Sequence, residues 1–197
     1  MHADSPLVVE NLSVKRSKHV VLDNMSLKID CGEFVGLVGP NGGGKTTLLL
    51  TILGLLKPSG GNIQLFGTGN SSRSSIGKTG WVSQHASNIP NNIKITVREL
   101  VQLGTLTTNN MFWRISDEQN IRVEKAIERV GVQNVSDTMV SKLSGGQRQR
   151  AVIARTLASE AEFILLDEPL VGVDRYSRNS LLKFLDNLCP VSYTHLR

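Results

Sequence analysis

Residues 33–56 read EFVGLVGPNGGGKTTLLLTILGLL, and this stretch sets the architecture expected of the 197-residue chain. It begins with an almost continuous apolar run, Phe34 to Val38, which is typical of a strand buried on both faces. A glycine-rich loop follows at once, and the apolar stretch from Thr46 to Leu56 predicts a helix. The order of strand, glycine loop and helix is the context in which a phosphate-binding loop is found.

The loop fits the spacing G-x-x-x-x-G-K-T, in which Lys45 and Thr46 are the last two positions. Glycines let backbone N–H groups approach phosphate oxygens, and the N-terminus of the following helix adds partial positive charge. The lysine reaches the terminal phosphates and the threonine hydroxyl is a ligand for Mg²⁺. We therefore predict that Mg²⁺ and a nucleoside triphosphate bind at Gly39, Pro40, Asn41, Gly42, Gly43, Gly44, Lys45, Thr46 and Thr47.

Composition and charge exclude several classes of protein. Hydrophobic residues make up 40% of the chain and charged residues 20%, which is typical of a folded globular protein and excludes a disordered one. The longest apolar run, Leu48 to Leu56, is about half the roughly 20 residues that a membrane helix needs. Two cysteines, Cys31 and Cys189, are too few for a disulfide framework and predict a reducing compartment, the cytoplasm by default. The net charge of +5 suits an anionic partner such as a nucleotide, a nucleic acid or a lipid surface. Because the excess charge is spread out, it favours ordinary surface charge over a dedicated nucleic-acid stripe, and no nucleic acid is expected.

A second apolar run, Phe163 to Leu166, ends in Asp167 and Glu168. Ligands of open α/β sheets bind at the carboxyl ends of strands, so both carboxylates are expected at a ligand site. We predict that Asp167 holds the Mg²⁺ shell and that Glu168 is the catalytic base for the water that attacks the γ-phosphate. An acidic pair after a strand is by itself more often a solvated strand end, and its pairing with the phosphate loop favours the catalytic interpretation.

The sequence LSGGQ, from Leu143 to Gln147, opens a third segment of interest. Ser144 and Gln147 have the spacing of a capping box, which is enough to explain those two residues. A capping box does not require the two consecutive glycines, Gly145 and Gly146. Bare N–H groups at a helix N-terminus instead indicate that a ligand approaches the backbone closely.

The remaining pattern predicts a small antiparallel sheet near the N-terminus and a helical lobe in the middle of the chain. Short alternating segments run from Leu7 to Ile29. Thr96 and Ser116 each precede a predicted helix, and the second helix has one buried face and ends at Gly131. A helix from Gly145, the strand before Asp167 and a last helix near residues 176–188 follow. A helical lobe is therefore predicted to be inserted into an α/β core.

The order of these three motifs resembles the nucleotide-binding subunit of an ABC transporter, over roughly residues 7–188. The resemblance implies an α/β fold, with a P-loop NTPase (RecA-like) core, an N-terminal antiparallel β subdomain and an inserted α-helical subdomain. It implies a single ABC ATPase domain, residues 1–188, with a core of residues 1–84 and 148–188 and a helical lobe of about residues 85–147. It also implies that the chain binds ATP and Mg²⁺ and hydrolyses the ATP.

The resemblance implies roles for further residues. In that family two subunits enclose two ATP molecules, so Ser144 to Gln147 would act on the ATP of the partner subunit. Gln84 resembles the Q-loop glutamine, which contacts Mg²⁺ or the attacking water and connects to the membrane subunit. Asp174 resembles the D-loop aspartate that links the two active sites, and an N-cap of the last helix is an equally good explanation for it.

Two features depart from the family's pattern. Arg16 occupies the position where the family stacks adenine on an aromatic ring; a guanidinium can also stack on a base, and a solvated loop cation is the alternative. The family also has a strand and a switch histidine after its last helix. His195 lies too close to Asp174 to leave room for a loop and a strand, so we do not assign it that role. We interpret residues 189–197 as a non-native or truncated tail, and we expect a chain without the switch histidine to bind ATP and to hydrolyse it poorly.

The neighbourhoods of the motifs, including Leu103 to Ser116 and Glu168 to Asp174, resemble ATPase subunits of bacterial zinc and manganese importers. The partners implied are a second ATPase subunit in a homodimer or pseudo-dimer, transmembrane permease subunits docked on the lobe and the loop after Gln84, and an extracytoplasmic metal-binding protein. The implied location is the cytoplasmic face of the cell membrane, as a peripheral subunit. The alternatives are a soluble ABC-type ATPase that acts on DNA or ribosomes, and a fragment that binds nucleotide without hydrolysis.

Overall fold

The computed structural model describes residues 5–70, 75, 77–84, 86–90, 92–107, 114–169, 178–179 and 182–183. The chain forms two compact units that divide between Thr79 and Gly80. Over the described part of the chain, no helix combines the length and the apolar character needed to cross a membrane. Strands and helices are mixed along the chain, so the α/β class predicted from the sequence is confirmed.

The first unit contains a four-stranded antiparallel sheet with the strand order β2-β1-β3-β4. The inward face of β1 supplies Leu7, Val9, Leu12 and Val14, all of which are buried. The predicted antiparallel sheet near the N-terminus is therefore confirmed. Its strands are β1 (Leu7–Arg16), β2 (His19–Ile29), β3 (Gly60–Leu65) and β4 (Thr68–Gly69).

The first two strands are longer than the sequence pattern predicts. Turn-prone asparagines divide the predicted segments, but the strands continue through Asn11 and Asn24. Both asparagines have left-handed backbone, with φ of 48° and 50°, and the register of the β1–β2 pair shifts between Val9 and Leu12. Asparagine tolerates this conformation better than most residues, so each marks an irregularity within a strand and not its end.

Helix α1 (Lys45–Ile52) follows the glycine loop as predicted, but it is shorter than the apolar stretch. Gly54 has a φ of +72° and ends the helix, and the N–H groups of Leu55 and Leu56 both turn back to the carbonyl oxygen of Leu50. A glycine in left-handed conformation is a common helix terminator. The apolar residues after it therefore lie outside the helix.

The strand predicted before the glycine loop is not formed. Residues 33–40 have no regular secondary structure, and Val38 is 69% exposed where burial was expected. A strand needs a neighbour to accept and donate its backbone hydrogen bonds, and among the described residues no ladder is formed by this segment. An apolar run indicates the capacity to be buried, but it does not supply the neighbouring strand.

Between Thr79 and Leu166, the described residues form a two-stranded sheet and three α-helices. Strands β5 (Thr79–Val82) and β6 (Phe163–Leu166) are neighbours in that sheet. In β6, Phe163 and Leu165 are buried while the residues that alternate with them are half-buried, so burial on both faces is only partly realised. The helices are α2 (Val97–Gln102), α3 (Asp117–Val130) and α4 (Gly145–Ala158), and short 3₁₀ turns lie at Leu103–Thr105, Gln133–Val135 and Val140–Lys142.

Capping residues set where these helices begin and end. Thr96 and Ser116 cap α2 and α3 as predicted, and Gly131 ends α3 with a φ of +69°. The predicted inward face of α3 is confirmed, because its four members are buried: Val123, Ala126, Ile127 and Val130.

Polar contacts fix the lobe where α3 meets its neighbours. Buried Gln119 on α3 donates to the carbonyl oxygen of Thr105, and Arg122 forms an ion pair with Glu160 after α4. Gly104 lies so close to Arg155 of α4 that a Cβ at Gly104 would overlap the Arg155 carbonyl oxygen. These contacts hold α3 and α4 as one packed body.

Part of the predicted C-terminal structure lies outside the described residues. Arg178, Asn179, Leu182 and Lys183 are helical, which agrees with a helix over the predicted range. The other predictions for this part of the chain concern residues that the structure does not describe: Asp174, Cys189, His195 and the tail 189–197.

Candidate functional site

The glycine loop owes its shape to glycines at consecutive positions. Gly42 and Gly44 have φ values of +80° and +87°, a conformation that side chains rarely adopt. A Cβ on Gly44 would lie 2.8 Å from Cδ2 of Leu22, and a Cβ on Gly43 would lie 3.0 Å from the carbonyl oxygen of Pro40. The loop therefore packs its backbone directly against β2 and against itself. A side chain would collide with its surroundings at Gly44 and would be tight at Gly43, whereas at Gly42 the backbone conformation is what favours glycine.

Lys45 folds back over this loop. Its Nζ donates to the carbonyl oxygens of Gly39, at 2.9 Å, and Pro40, at 3.0 Å. The first turn of α1 has no acidic side chain, and its N-cap, Gly44, makes no side-chain capping bond. The positive end of the helix dipole and the lysine ammonium therefore act together on the space above the loop, which suits an anion.

In the second unit, two neighbouring strands bring three predicted residues together. Strand β5 is followed by Gln84, and β6 is followed by Asp167 and Glu168. The N–H of Asp167 donates to the carbonyl oxygen of Val82 at 2.9 Å, so the two strand ends are held side by side. Nε2 of Gln84 donates to Oε2 of Glu168 at 2.7 Å. Two of the predicted Mg²⁺ ligands, Gln84 and Asp167, thus meet the predicted base at one edge of the sheet, whereas Thr46 belongs to the first unit.

The two carboxylates have different surroundings. Asp167 is buried, with 5% of its surface exposed, whereas Glu168 is half-buried. Glu168 also has left-handed backbone with a φ of 49°, which costs about 1–2 kcal/mol for a residue with a side chain. A conformation of this kind persists where surrounding contacts hold it, and such residues concentrate at functional sites.

The LSGGQ segment forms the N-terminus of α4 with a complete capping box. Oγ of Ser144 accepts from the N–H of Gln147 at 3.3 Å, and Oε1 of Gln147 accepts from the N–H of Ser144 at 3.0 Å. Gly145 and Gly146 occupy the first two helical positions, where N–H groups have no acceptor within the helix. Gly145 is exposed and Gly146 is buried.

Helices α1 and α4 share a charge pattern that α2 and α3 lack. Neither α1 nor α4 has an acidic residue in its first turn, whereas α2 begins with Glu99 and α3 with Asp117 and Glu118. An acidic first turn stabilises a helix and also repels anions. The two helices that begin with glycine motifs are thus the two described helices left open to an anionic ligand.

The predicted donors fit Mg²⁺ by their chemistry. Thr46, Gln84 and Asp167 offer a hydroxyl, an amide carbonyl and a carboxylate oxygen, and Mg²⁺ prefers oxygen ligands. Within the described ranges, no group of three or more His, Cys, Asp or Glu residues forms a metal cage. Each of these oxygen donors is of a kind that Mg²⁺ takes together with phosphate and water.

Arg16 lies at the end of β1, paired across the hairpin with His19, and both side chains are exposed. Its exposure is compatible with stacking on a base and with a solvated cation alike. Asp174 lies outside the described residues.

A groove on the lobe is a feature that the sequence analysis did not locate, although it predicted that a permease subunit docks on the lobe. An open groove of about 290 Å³ with mainly apolar walls lies beside α2 and the segment before it. Leu103, the most exposed of its large apolar residues, is 50% exposed. The lining residues are Ile95, Glu99, Gln102, Leu103, Leu106 and Ile115.

Comparison with known proteins gives consistent similarities. A family profile described as ABC transporter matches residues 22–171. The high-affinity zinc uptake system ATP-binding protein ZnuC of Bacillus subtilis is 41% identical over 171 residues, which are 85% of this chain and 72% of that protein. The zinc uptake system ATP-binding protein ZurA of Listeria innocua is 38% identical over 166 residues, which are 84% of this chain and 65% of that protein.

Among solved structures, CbiO1 of Clostridium perfringens superposes with a TM-score of 0.82 and 30% identity. The superposition covers 98% of this chain and 79% of that one. CbiO1 is described as part of the ABC transporter complex CbiONQ.

Proposed function

The chain belongs to the ABC transporter family, whose ATP-binding domains hydrolyse ATP to power transport, and on that basis we propose that it drives uptake of a metal ion such as zinc or manganese. Two relatives from different organisms, both named for zinc uptake, support zinc as the first cargo to test. Within this chain, the observation that carries the proposal is the meeting of Gln84, Asp167 and Glu168 at neighbouring strand ends.

The glycine loop and Lys45 bind the phosphates of ATP. Lys45 exchanges the carbonyl oxygens of Gly39 and Pro40 for phosphate oxygens, which carry full negative charge and form stronger hydrogen bonds with an ammonium group. The N–H groups at the start of α1 add donors from the backbone. We assign the same binding role to the whole loop from Gly39 to Thr47, and we retain Arg16 as the candidate for stacking on the base.

Glu168 accepts a proton from the water that attacks the γ-phosphorus. The new bond joins the water oxygen to phosphorus, and the bond from phosphorus to the bridging oxygen of ADP breaks. Thr46, Gln84 and Asp167 are the residues that would hold Mg²⁺ beside the phosphates. When bound, Mg²⁺ supplies positive charge that offsets the charge developing on the phosphate oxygens.

We assign Ser144 to Gln147 to the ATP of a second copy, in a homodimer or pseudo-dimer. The exposed Gly145 and the first turn of α4, which has no acidic residue, support a role for this helix N-terminus in contacting an anion. Closure of two copies on two ATP molecules would supply the motion that switches the membrane subunits between access states. Asp174 would link the two sites.

The lobe groove is our proposed docking surface for a helix of a permease subunit. Its apolar wall would bury side chains of that helix, and Glu99 at its side would favour a basic one. Docking there places the chain at the cytoplasmic face of the membrane as a peripheral subunit, with an extracytoplasmic metal-binding protein delivering the cargo. The domain division proposed with it is a core of residues 1–84 and 148–188 and a lobe of about residues 85–147.

Substitution of Glu168 tests the proposed chemistry. Glu168→Gln is expected to lower ATP turnover by about 100-fold or more while ATP binding survives, because it removes the base and keeps the shape. Phosphate release and titration with a fluorescent ATP analogue measure the two quantities. Glu162→Gln, at an exposed carboxylate just before β6, is the matched control. Unchanged turnover in Glu168→Gln would show that Glu168 is not the catalytic base.

The cargo requires a separate experiment on the whole transporter. The chain is co-expressed with the permease of a zinc uptake system, and uptake of radioactive zinc and manganese is measured in vesicles. ATP-dependent uptake of either ion that is lost with Glu168→Gln would support metal import. ATP hydrolysis without uptake of either ion would remove the metal assignment and leave the ATPase assignment intact.

A further inference from the structure

The contact between Gln84 and Glu168 joins two residues that have separate roles in the proposed function. A carboxylate oxygen only accepts hydrogen bonds, so the end of the Gln84 amide that faces Glu168 is the NH₂ group. The other end of the same amide is a carbonyl oxygen, which is the kind of atom that can approach Mg²⁺ or water. The amide of Gln84 can therefore donate from its NH₂ group to Glu168 while its carbonyl oxygen faces the cation.

The backbone around this contact is held in place. The bond from Asp167 N–H to Val82 O fixes the points at which the chain leaves the two strands. Glu168 stands in left-handed backbone, which aims its side chain in a direction that ordinary strand or helix geometry would not give. Its carboxylate then receives the Gln84 amide at 2.7 Å. The position of the carboxylate is thus determined by its backbone at one end and by Gln84 at the other.

Resting on the proposed function, we propose that Gln84 is a positioning residue that acts on hydrolysis through Glu168. Its N–H holds Oε2 of Glu168, which turns the carboxylate so that Oε1 takes the proton of the attacking water. This is the logic by which a third group orients a catalytic base in other hydrolases. A role limited to the cation would need the carbonyl end of Gln84 and would give no reason for the contact with Glu168.

Magnesium titration separates the two roles. For Gln84→Ala we expect kcat to fall about tenfold at saturating Mg²⁺, since a misdirected base stays misdirected whatever the cation concentration. The KM for ATP should change less than kcat. Recovery of wild-type kcat at high Mg²⁺ would overturn the proposal, because it would show that Gln84 serves the cation alone. Gln133→Ala, which removes another exposed glutamine in the lobe, is the control and should match the wild type.

A double substitution tests whether Gln84 acts through Glu168. In a Glu168→Ala chain, adding Gln84→Ala should lower the residual rate no further, because the group to be positioned is gone. If the double variant instead loses rate by the product of the two single-variant factors, the two residues act independently and the proposal is wrong.

The bond itself is measured without nucleotide. The side-chain NH₂ of Gln84 gives a pair of ¹H–¹⁵N signals, and Glu168→Ala should shift them in the nucleotide-free chain while Glu162→Ala leaves them in place. Unmoved signals would show that the contact is absent in solution and would overturn the proposal. The NMR measurement does not depend on ATP turnover, so the positioning role of Gln84 can be disproved while the ATPase assignment stands. Conversely, wild-type turnover in Glu168→Gln would disprove the assignment of Glu168 as the base, whatever the NMR signals show.

Discussion

Ser144 and Gln147 cap the same helix end in both directions, each accepting the backbone N–H of the other at 3.3 Å and 3.0 Å. Both residues belong to the segment proposed to act on the partner's ATP. A side chain engaged in a cap is held in one orientation, so the capping box also prepares the first turn of α4 for its ligand. The role of Gln147 can then be separated from that of the glycines before it.

Substitutions of Gln147 distinguish capping from direct contact. Gln147→Ala should cost about 1 kcal/mol of stability and weaken ATP-driven dimerisation, because it removes one half of the box. Gln147→Glu should restore the stability, since Glu99 at the matching position of α2 accepts from Thr96 in the same way. Dimerisation should stay weak in Gln147→Glu, because an acidic first turn repels the phosphates of ATP. Thermal unfolding and light scattering with ATP measure the two effects. A stability in Gln147→Glu as low as that of Gln147→Ala would contradict the capping role.

Gly44→Ala should abolish nucleotide binding and destabilise the first unit. The new Cβ would stand 2.8 Å from Leu22 Cδ2 and 3.2 Å from Val21 Cγ1, in a backbone conformation that costs a further 1–2 kcal/mol or so. Titration with a fluorescent ATP analogue and urea unfolding check this. Gly69→Ala, where a Cβ would have nothing within 4 Å, is the control. Wild-type affinity in Gly44→Ala would contradict the tight loop described above.

Lys45→Ala should lower ATP affinity at least tenfold and change the unfolding temperature by only about 2 °C. The two bonds that Lys45 makes to Gly39 and Pro40 are exposed, so little stability depends on them, whereas its bonds to phosphate would be charge-assisted. Isothermal titration calorimetry and thermal unfolding give both numbers. Lys57→Ala should leave both unchanged, and a large loss of stability in Lys45→Ala would show a structural role instead.

The carboxyl of Glu99 gives the lobe a defined dependence on pH. Hydrogen bonds from the backbone and side chain of Thr96 hold the pKa of Glu99 below its usual value of 4.5. A lowered pKa means that the ionised form stabilises the fold above about pH 4.5, and that this contribution is lost as pH falls through the lowered value. The wild type should therefore be more stable than Glu99→Gln at pH 7, and the difference should vanish in acid. Thermal unfolding of both proteins between pH 7 and pH 3 measures this difference in stability. A difference that grows as the pH falls would contradict the prediction.

Leu103→Asp should abolish co-purification with the permease and keep basal ATP hydrolysis. Leu103 is 50% exposed in the lobe groove, so an aspartate there can stay solvated while it disrupts an apolar contact. Ile121→Asp is the matched control, since Ile121 is 53% exposed on α3 and does not line the groove. If both variants or neither lose the permease, the groove is not the docking surface.

Local features of this fold were predictable from sequence, and features that depend on distant partners were not. The caps at Thr96, Ser116 and Ser144 were correctly predicted because a capping box involves only four consecutive residues. The buried face of α3 follows from helical periodicity alone. Residues 33–40 carry an equally clear apolar pattern and are not a strand, since strand formation requires a neighbour that the pattern does not specify.

The candidate site likewise has features that were predictable from sequence and features that were not. The types and spacing of Lys45, Asp167 and Glu168 follow from their motifs. The bond between Gln84 and Glu168 spans 84 positions of sequence and depends on β5 and β6 being neighbours, which no local pattern specifies. The left-handed backbone of Glu168 was equally unpredictable, because glutamate has no preference for it.

The bare N-terminus of α1 makes the nucleotide part of the folding equilibrium. This helix begins with neither a side-chain cap nor a first-turn acid, so the positive end of its dipole is open to an anionic ligand. A phosphate group that fills this place acts as a removable cap, and a ligand that binds only the native state raises stability by about 2.7 kcal/mol when its concentration is 100 times its Kd. ATP would then stabilise the folded chain as well as drive transport, and the stability of the chain should depend on the nucleotide concentration.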